Sequence, residues 1–287
     1  MSVSIPTYAA TIRLAGEIRT DPAGIEKLLD FYEQASKYED CIIRADCYDL
    51  KWIDANLAAL LHAFDHRLLQ SKNVRIVSDF DFLAEHFCFL FENGWLKHGK
   101  KQFPDEQRRT LLCTSFAPDK LEDFVAYVNQ ELLNHTGTHG LTDTLRLRMG
   151  TDLMEIFINI DRHAQTTDPL FVCGHYYEKA GYFVFTMVDM GVGFLPPINK
   201  FTHGKIRSYA AALNWALAGN SSTGDPLAGM GLEGIQEYCK NHGGGLQIVS
   251  GDAFWGTEIP CGGQNGHIGL KKVYHGSIIN LFFPFKA

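Results

Sequence analysis

From Tyr8 to about Trp95 the hydrophobic pattern switches back and forth between a period of two and a period of about 3.6, and few architectures accept that alternation. Thr11-Ile12-Arg13-Leu14 alternates polar and apolar residues as a strand does. Asp21 and Pro22 then open a helix, with Ile25, Leu28, Leu29 and Tyr32 at helical spacing. Cys41-Ile42-Ile43 predicts a second strand, and Asp54 is placed to cap a helix carrying Leu57, Leu60, Leu61, Phe64 and Leu68. Val74-Arg75-Ile76-Val77 reads as a third strand and Phe80 to Phe91 as a third helix. Such alternation predicts a small α/β layer structure over residues 1–95.

Gly94, Gly99, Pro104 and the basic residues Lys97, Lys100, Lys101, Arg108 and Arg109 mark a joint. Residues 96–108 therefore read as a solvated linker, and residues 109–287 as a second domain. It opens with Leu111-Leu112-Cys113, followed by a helix near Lys120 to Leu133 and a longer one from about Asp143 to Ala164. The stretch from Ala253 to Tyr274, with glycines at 256, 262, 263, 266 and 269, reads as a loop or an added hairpin.

With 26 basic and 33 acidic residues, the formal net charge of −7 argues against nonspecific binding to nucleic acid or to a membrane surface. The apolar runs fall far short of the ~18 residues of a membrane span. Seven cysteines with no C-x-x-C, and no basic region followed by an apolar core at the N-terminus, lead us to expect reduced thiols in a cytoplasm. His135 and His139 have the spacing of a metal pair, but Thr136-Gly137-Thr138 between them suits a loop and no third ligand is evident.

Three segments carry chemistry. In Leu153-Met154-Glu155-Ile156-Phe157-Ile158-Asn159-Ile160-Asp161-Arg162-His163-Ala164, a helical turn of 100° per residue puts Glu155, Asn159, Arg162 and His163 on one face, with Asp152 beside them. Leu153, Ile156, Phe157, Ile160 and Ala164 fall on the opposite face. The polar stripe could activate a water, ligate Mg²⁺ through oxygen and neutralise a phosphate; it could equally be an ordinary exposed face. In the second segment a β-rich run from Tyr182 ends at Asp189, followed by Gly191 and Gly193. A carboxylate there can accept from the exocyclic amine of a flat base, and glycines let the backbone approach closely. In the third, Gly229, Gly231 and Leu232 open a helix whose first N–H groups suit phosphate oxygens.

The order and spacing of these motifs, E-x-x-x-N-x-x-R-H-A, D-x-G-x-G and G-x-G-L with His242-Gly243-Gly244 behind it, resemble the GHKL ATP-binding superfamily, which includes histidine-kinase catalytic domains and anti-sigma-factor serine kinases. The closing Gly276-Ser277-Ile278-Ile279-Asn280-Leu281-Phe282-Phe283-Pro284 resembles that superfamily's last strand. The resemblance implies a Bergerat-type two-layer α/β sandwich that binds ATP and Mg²⁺. It implies that Glu155 is the general base, that Asn159 holds Mg²⁺, and that Arg162 and His163 lie by the phosphates. By the same likeness Asp189 reads adenine, Gly191 and Gly193 shape the base pocket, and Ser277 replaces a threonine near the base. A lid would run over 194–228 and end at Gly229, Gly231 and Leu232. Within it Ser222 and Thr223 keep the hydroxyls of a G-x-S-T-K stretch, while Gly224 stands where the lysine would be.

Gly16-Glu17-Ile18 and Asp49-Leu50-Lys51-Trp52-Ile53-Asp54-Ala55-Asn56-Leu57 resemble a STAS domain, the fold of anti-sigma-factor antagonists. Ala55 and Asn56 stand at that family's serine pair and Leu57 at its glycine, so phosphorylation at that position is not open to this chain. Phe64-Asp65-His66-Arg67-Leu68 falls in a helix of this half with no dimerising hairpin, which favours the serine-kinase branch over the histidine-kinase branch. The expectation is a Mg·ATP-dependent ATPase or protein serine kinase with a protein partner in a regulatory switch, a homodimer being open to it. The alternative is a non-catalytic, ATP-gated interaction module.

Overall fold

The computed structural model describes residues 7–135, 138, 141–221, 230–257 and 266–284. The first run forms β1 (Ala10–Arg13). Gly16-Glu17-Ile18 does not extend it but forms a separate β2 (Gly16–Ile18), because Leu14 N–H bonds to Asp46 O while Gly16 N–H bonds to Asp49 O. α1 (Pro22–Ala35) opens as its residues require, with the Asp21 carboxylate accepting from Gly24 N at 2.7 Å. Next come β3 (Cys41–Asp46), β4 (Leu50–Ile53), α2 (Ala58–Lys72) and β5 (Val74–Val77). β1, β3 and β5 form a parallel sheet in the order β1-β3-β5, and β2 pairs parallel with β4.

Two local expectations are corrected. Asp54 does not cap the helix: its carboxylate accepts from Thr20 N at 2.6 Å, Thr20 Oγ1 at 2.9 Å and Trp52 Nε1 at 2.7 Å, and a 3₁₀ turn over Ala55–Leu57 precedes α2. The helix expected over Phe80–Phe91 is two pieces, α3 (Phe80–His86) and α4 (Phe89–Glu92), broken where Phe87 leaves helical geometry at φ −137°.

The second half contributes β6 (Thr110–Phe116), α5 (Leu121–Tyr127), a π turn over Val128–Leu132, α6 (Asp143–His163), β7 (Leu170–Tyr177) and β8 (Tyr182–Asp189). α7 (Leu195–Phe201), α8 (Tyr209–Leu217), α9 (Met230–His242), β9 (Gly245–Gly256) and β10 (Gly266–Pro284) complete it. An antiparallel sheet runs in the order β6-β7-β8-β10-β9. The 253–274 stretch takes the hairpin form: β9 and β10 stay paired out to Gly256 and Gly266, with irregularities around Gly269, Tyr274 and Ser277.

Side chains alternate across this sheet and bury both faces. Phe171, Cys173, Val188, Val249 and Ile278 share a core with Ile25, Leu28, Leu57, Leu60 and Phe64 of the first half. Val172, Phe185, Met187, Ile248 and Ile279 share another with Phe124, Leu153, Phe157, Leu213 and Ile235 of the helices. Residues 96–108 are not simply a solvated tether. Lys97, Lys100, Lys101 and Arg108 are exposed, but Trp95, Leu96 and Phe103 pack against the first core.

A ring of buried polar groups also joins the halves. Tyr177 OH donates to Asn56 Oδ1 (3.1 Å), and Asn56 Nδ2 to Thr186 Oγ1 (2.8 Å) and Thr20 Oγ1 (3.1 Å). Thr186 Oγ1 donates to Asn280 Oδ1 (2.8 Å), Asn280 Nδ2 to Gln247 Oε1 (3.2 Å), and Gln247 Nε2 to the Thr20 carbonyl (3.1 Å). Ala55, Asn56 and Leu57 are thereby buried against the five-stranded sheet.

The six cysteines among the described residues are free thiols, four of them buried. Among those residues no helix is long and apolar enough to cross a membrane.

Asp65, on α2, gives a test of this packing. Burial raises its carboxyl to about 7, against a lowering hydrogen bond from the Trp95 side chain. A folded value above the unfolded ~3.9 means that its stabilising contribution is full below that pH and is lost as pH rises through the folded value. Asp65→Asn should therefore exceed wild type in stability at pH 8 by about 2–4 kcal/mol, nearer the lower figure because the residue keeps some solvent contact. At pH 4.5, just above the unfolded value, the difference should shrink to about 1 kcal/mol. Urea midpoints at both pH values measure this, and an unchanged pH dependence in the variant would refute it.

Candidate functional site

A cleft of about 770 Å³, counted out to the solvent at its mouth, opens between α6, the end of β8 and the segment from α7 to α9. Ile156, Asn159, Ile160, His163 and Ala164 form its α6 wall, so Ile156 and Ile160 face the cleft as well as the core. Phe194, Pro197, Ile198, Trp215 and Ala216 form the opposite wall, with Leu232 at the start of α9. Asp189, Gly193, Ser277 and Ile279 form the floor, and Asn220 and Ser221 reach the rim.

Asp189 is buried where β8 ends, and its bonds fix its orientation. Oδ1 accepts from Gly191 N at 2.9 Å; Oδ2 accepts from Ser277 N at 3.0 Å and from Ser277 Oγ. Burial raises its carboxyl, opposed by the Ser277 and Gly191 bonds and by the charge of Arg67. A carboxylate offers about four lone-pair directions. One on Oδ1 remains for a donor arriving from the cleft.

The glycines after Asp189 answer to close approaches. A β-carbon on Gly191 would lie 2.3 Å from Ala164 O, at the point where Val192 N donates to that same carbonyl at 2.9 Å. Gly193 has φ 72°, and a β-carbon there would lie 2.4 Å from Ser250 Oγ.

The polar face expected on α6 divides in the structure. Asn159 and His163 face the cleft, and the imidazole is held below its usual value by burial and then by the Arg162 charge. Arg162 is exposed and lies outside the cleft lining, because it points about 100° round the helix from His163. Glu155 is half-buried one turn before Asn159 and also lies outside the lining; a β-carbon on Gly231 would come within 3.1 Å of its Cβ. Asp152 turns toward α9, where a β-carbon on Gly234 would lie 2.5 Å from its Oδ2. Burial raises Asp152 to about 6, against Arg148 and with Glu155 and Glu237. Gly231 packs on this part of α6 and Leu232 enters the cleft. Ser222, Thr223, Gly224 and Gly229 lie outside the described residues.

Sequence reasoning missed Phe194, Pro197, Ile198 and Trp215, which form the apolar wall opposite α6. The only available signal was an aromatic and a pair of prolines directly after the D-x-G-x-G turn.

The cleft suits a flat, partly polar ligand: apolar walls, one buried acceptor on the floor, an amide and a neutral imidazole nearer the mouth. No protein-family model matches the chain, and no curated protein matches its sequence.

Proposed function

We propose that this chain binds Mg·ATP in the cleft and is an ATPase or protein serine kinase of the GHKL type. In this reading the second half has that superfamily's layered fold, and the first half is a STAS-like regulatory part held in cis. The observation that carries the proposal is Asp189. A buried carboxylate with one open lone pair, at the bottom of an apolar cleft, is the group an exocyclic base amine would seek.

The residues present fit the nucleotide. Ile156, Ile160, Leu232 and Ile279 would supply apolar surface for a base, and Asn159 and His163 would face the phosphates. For the metal, Asn159 offers one neutral oxygen, and among the described residues no cluster of His, Cys, Asp or Glu could hold a cation by itself. In this reading Mg²⁺ would arrive on the phosphates, which would supply its remaining oxygens, and it would neutralise phosphate charge.

A second reading keeps the same site without turnover: ATP closes the segment over the cleft and changes which protein docks. Its motive is Gly224 where a lysine is expected for the γ-phosphate. The burial of residues 55–57 means that any separate partner of the first half would use another face or open the halves. Calorimetric titration of ATP, ADP and GTP, alongside turnover, tests both readings. No binding of any nucleotide would refute both; tight binding without turnover selects the second.

Asp189→Asn sharpens the test. Ser277 presents two donors to Oδ2 and Gly191 one to Oδ1, so the new amide keeps its oxygen toward Ser277 and turns its NH₂ toward the base. Two donors then face each other. We expect ATP affinity to fall by about 1–3 kcal/mol and the preference for adenine over guanine to be lost. Unchanged ATP affinity would put Asp189 outside the base pocket.

A further inference from the structure

The floor of the cleft is held from behind by a residue of the other half. Arg67 on α2 places Nε 2.5 Å from Asp168 Oδ2, and its Nη2 bonds to Asp168 and to the Met190 carbonyl. Asp168 lies on the connector from α6 to β7, and Met190 directly follows Asp189. One planar guanidinium thus ties together the two pieces of chain that meet at Ala164 and Gly191, the contact that admits no β-carbon. Tyr274 OH donates to Asp189 O at 2.6 Å from the adjoining strand, and His66 Nε2 stands 3.5 Å from Asp168 Oδ1. Arg67 does not line the cleft, so it can act on a ligand only through these groups.

An ordinary surface ion pair would need none of this. Asp168 is mostly buried, and the carbonyl that Arg67 caps is that of the residue after Asp189. A lysine could satisfy either acceptor but could not present a fixed fork to both.

We infer that Arg67 is a positioning residue which, through Asp168 and Met190, couples the docking of the N-terminal half to nucleotide affinity and base selectivity in the cleft. The inference rests on the ATP reading above. Coupling of this kind is reciprocal, so a nucleotide in the cleft must tighten the contact that α2 makes with the sheet.

The experiment uses the full chain and four forms: wild type, Arg67→Ala, Arg67→Lys and Tyr177→Phe. Tyr177→Phe removes hydroxyl bonds to Ala55 and Asn56 and loosens the same interface without touching Asp168 or Met190. Calorimetry gives Kd for ATP and GTP, and hydrogen exchange follows residues 58–72 with and without ATP. Arg67→Ala is expected to weaken ATP by about tenfold and to shrink the ATP-to-GTP ratio, with Arg67→Lys between it and wild type. Tyr177→Phe should keep the wild-type ratio. ATP should slow exchange in residues 58–72 of wild type and not of Arg67→Ala. If Arg67→Ala fails to fold, Asp168→Asn weakens the same tie at its other end and should show the same loss of selectivity. Wild-type Kd values and ratio in Arg67→Ala, or the same loss in Tyr177→Phe, would overturn the coupling and leave the ATP reading intact. Absence of nucleotide binding by wild type would overturn both.

Discussion

Glu155→Gln is expected to cut ATP turnover by roughly 10²–10⁴-fold while ATP binding survives. The substitution is nearly isosteric and keeps one oxygen and a hydrogen-bonding group, so contacts with the first turn of α9 are preserved. What disappears is the ability to accept a proton. Glu155 stands one turn before Asn159 on α6, half-buried at the edge of the cleft where the start of α9 meets it. A base at that edge can orient or deprotonate an attacking hydroxyl or water without touching the base pocket. Asn159 faces the cleft itself, so Asn159→Ala should behave differently, weakening Mg-dependent binding along with any turnover. Measuring Kd and single-turnover rate for both variants separates the roles. Equal turnover by Glu155→Gln and wild type would remove the general-base assignment and leave positioning and charge to carry any chemistry.

What the sequence discloses about this site follows from the range of the interactions involved. Asp189, Gly191, Gly193, Asn159 and His163 are legible because strand ends, tight turns and helical spacing are local properties, whereas Ser277 is reached only through the resemblance of the last strand; all six sit at or directly behind the cleft. Helical phase gives a face but not a depth. Arg162, assigned to one face with His163 but about 100° round the helix from it, ends in solvent, whereas Ile156 and Ile160, assigned to the core, also reach the cleft. Trp215 and Ile198 fall in the stretch expected to be a lid, and nothing local says that they sit on short helices whose packing leaves one side open to the cleft.

The fold shows the same division. Helix and strand positions in the first half follow from periodicity, but Asp54 breaks the capping rule because Thr20, distant in sequence, offers it a better pair of donors. The tie from Arg67 to Asp168 spans 101 positions and leaves no pattern in either neighbourhood. Glycines between 253 and 274 read as loop signals, yet β9 and β10 stay paired there because the outer part of the hairpin packs on the first half. Lys271 N donates to Glu26 at 2.6 Å, Lys272 Nζ stands 3.0 Å from Asp30 Oδ1, and Leu270 and Tyr274 join the first core. The outer part of this hairpin is therefore part of what fastens the two halves.

That fastening can be broken at one atom. In the buried ring every amide is used at both ends, so the hydrogen bonds run one way: Tyr177 to Asn56, Asn56 to Thr186, Thr186 to Asn280, Asn280 to Gln247 and Gln247 to the Thr20 carbonyl. Asn56→Asp alters no shape but replaces the NH₂ group with an oxygen. Thr186 already spends its proton on Asn280 and Thr20 spends its own on Asp54, so the new oxygen faces two acceptors. The ionised carboxylate is also fully buried beside Asp54, whose charge opposes it. Leaving such a charge uncompensated costs about 3–5 kcal/mol. The same surroundings raise the new carboxyl above its unfolded value of about 3.9, and its protonated form can donate to Thr186 in place of the lost amide. Stability of the variant should therefore approach wild type near pH 4 and fall away as pH rises toward 8, the sign required of a group that binds its proton more tightly when folded. Urea unfolding at pH 4.5 and pH 8 measures it, and Tyr177→Phe, which removes the hydroxyl's bonds to Ala55 N and Asn56 Oδ1 and adds no charge, supplies a pH-independent reference. A loss in Asn56→Asp that is the same at both pH values would mean that the side chain is not held in the closed ring.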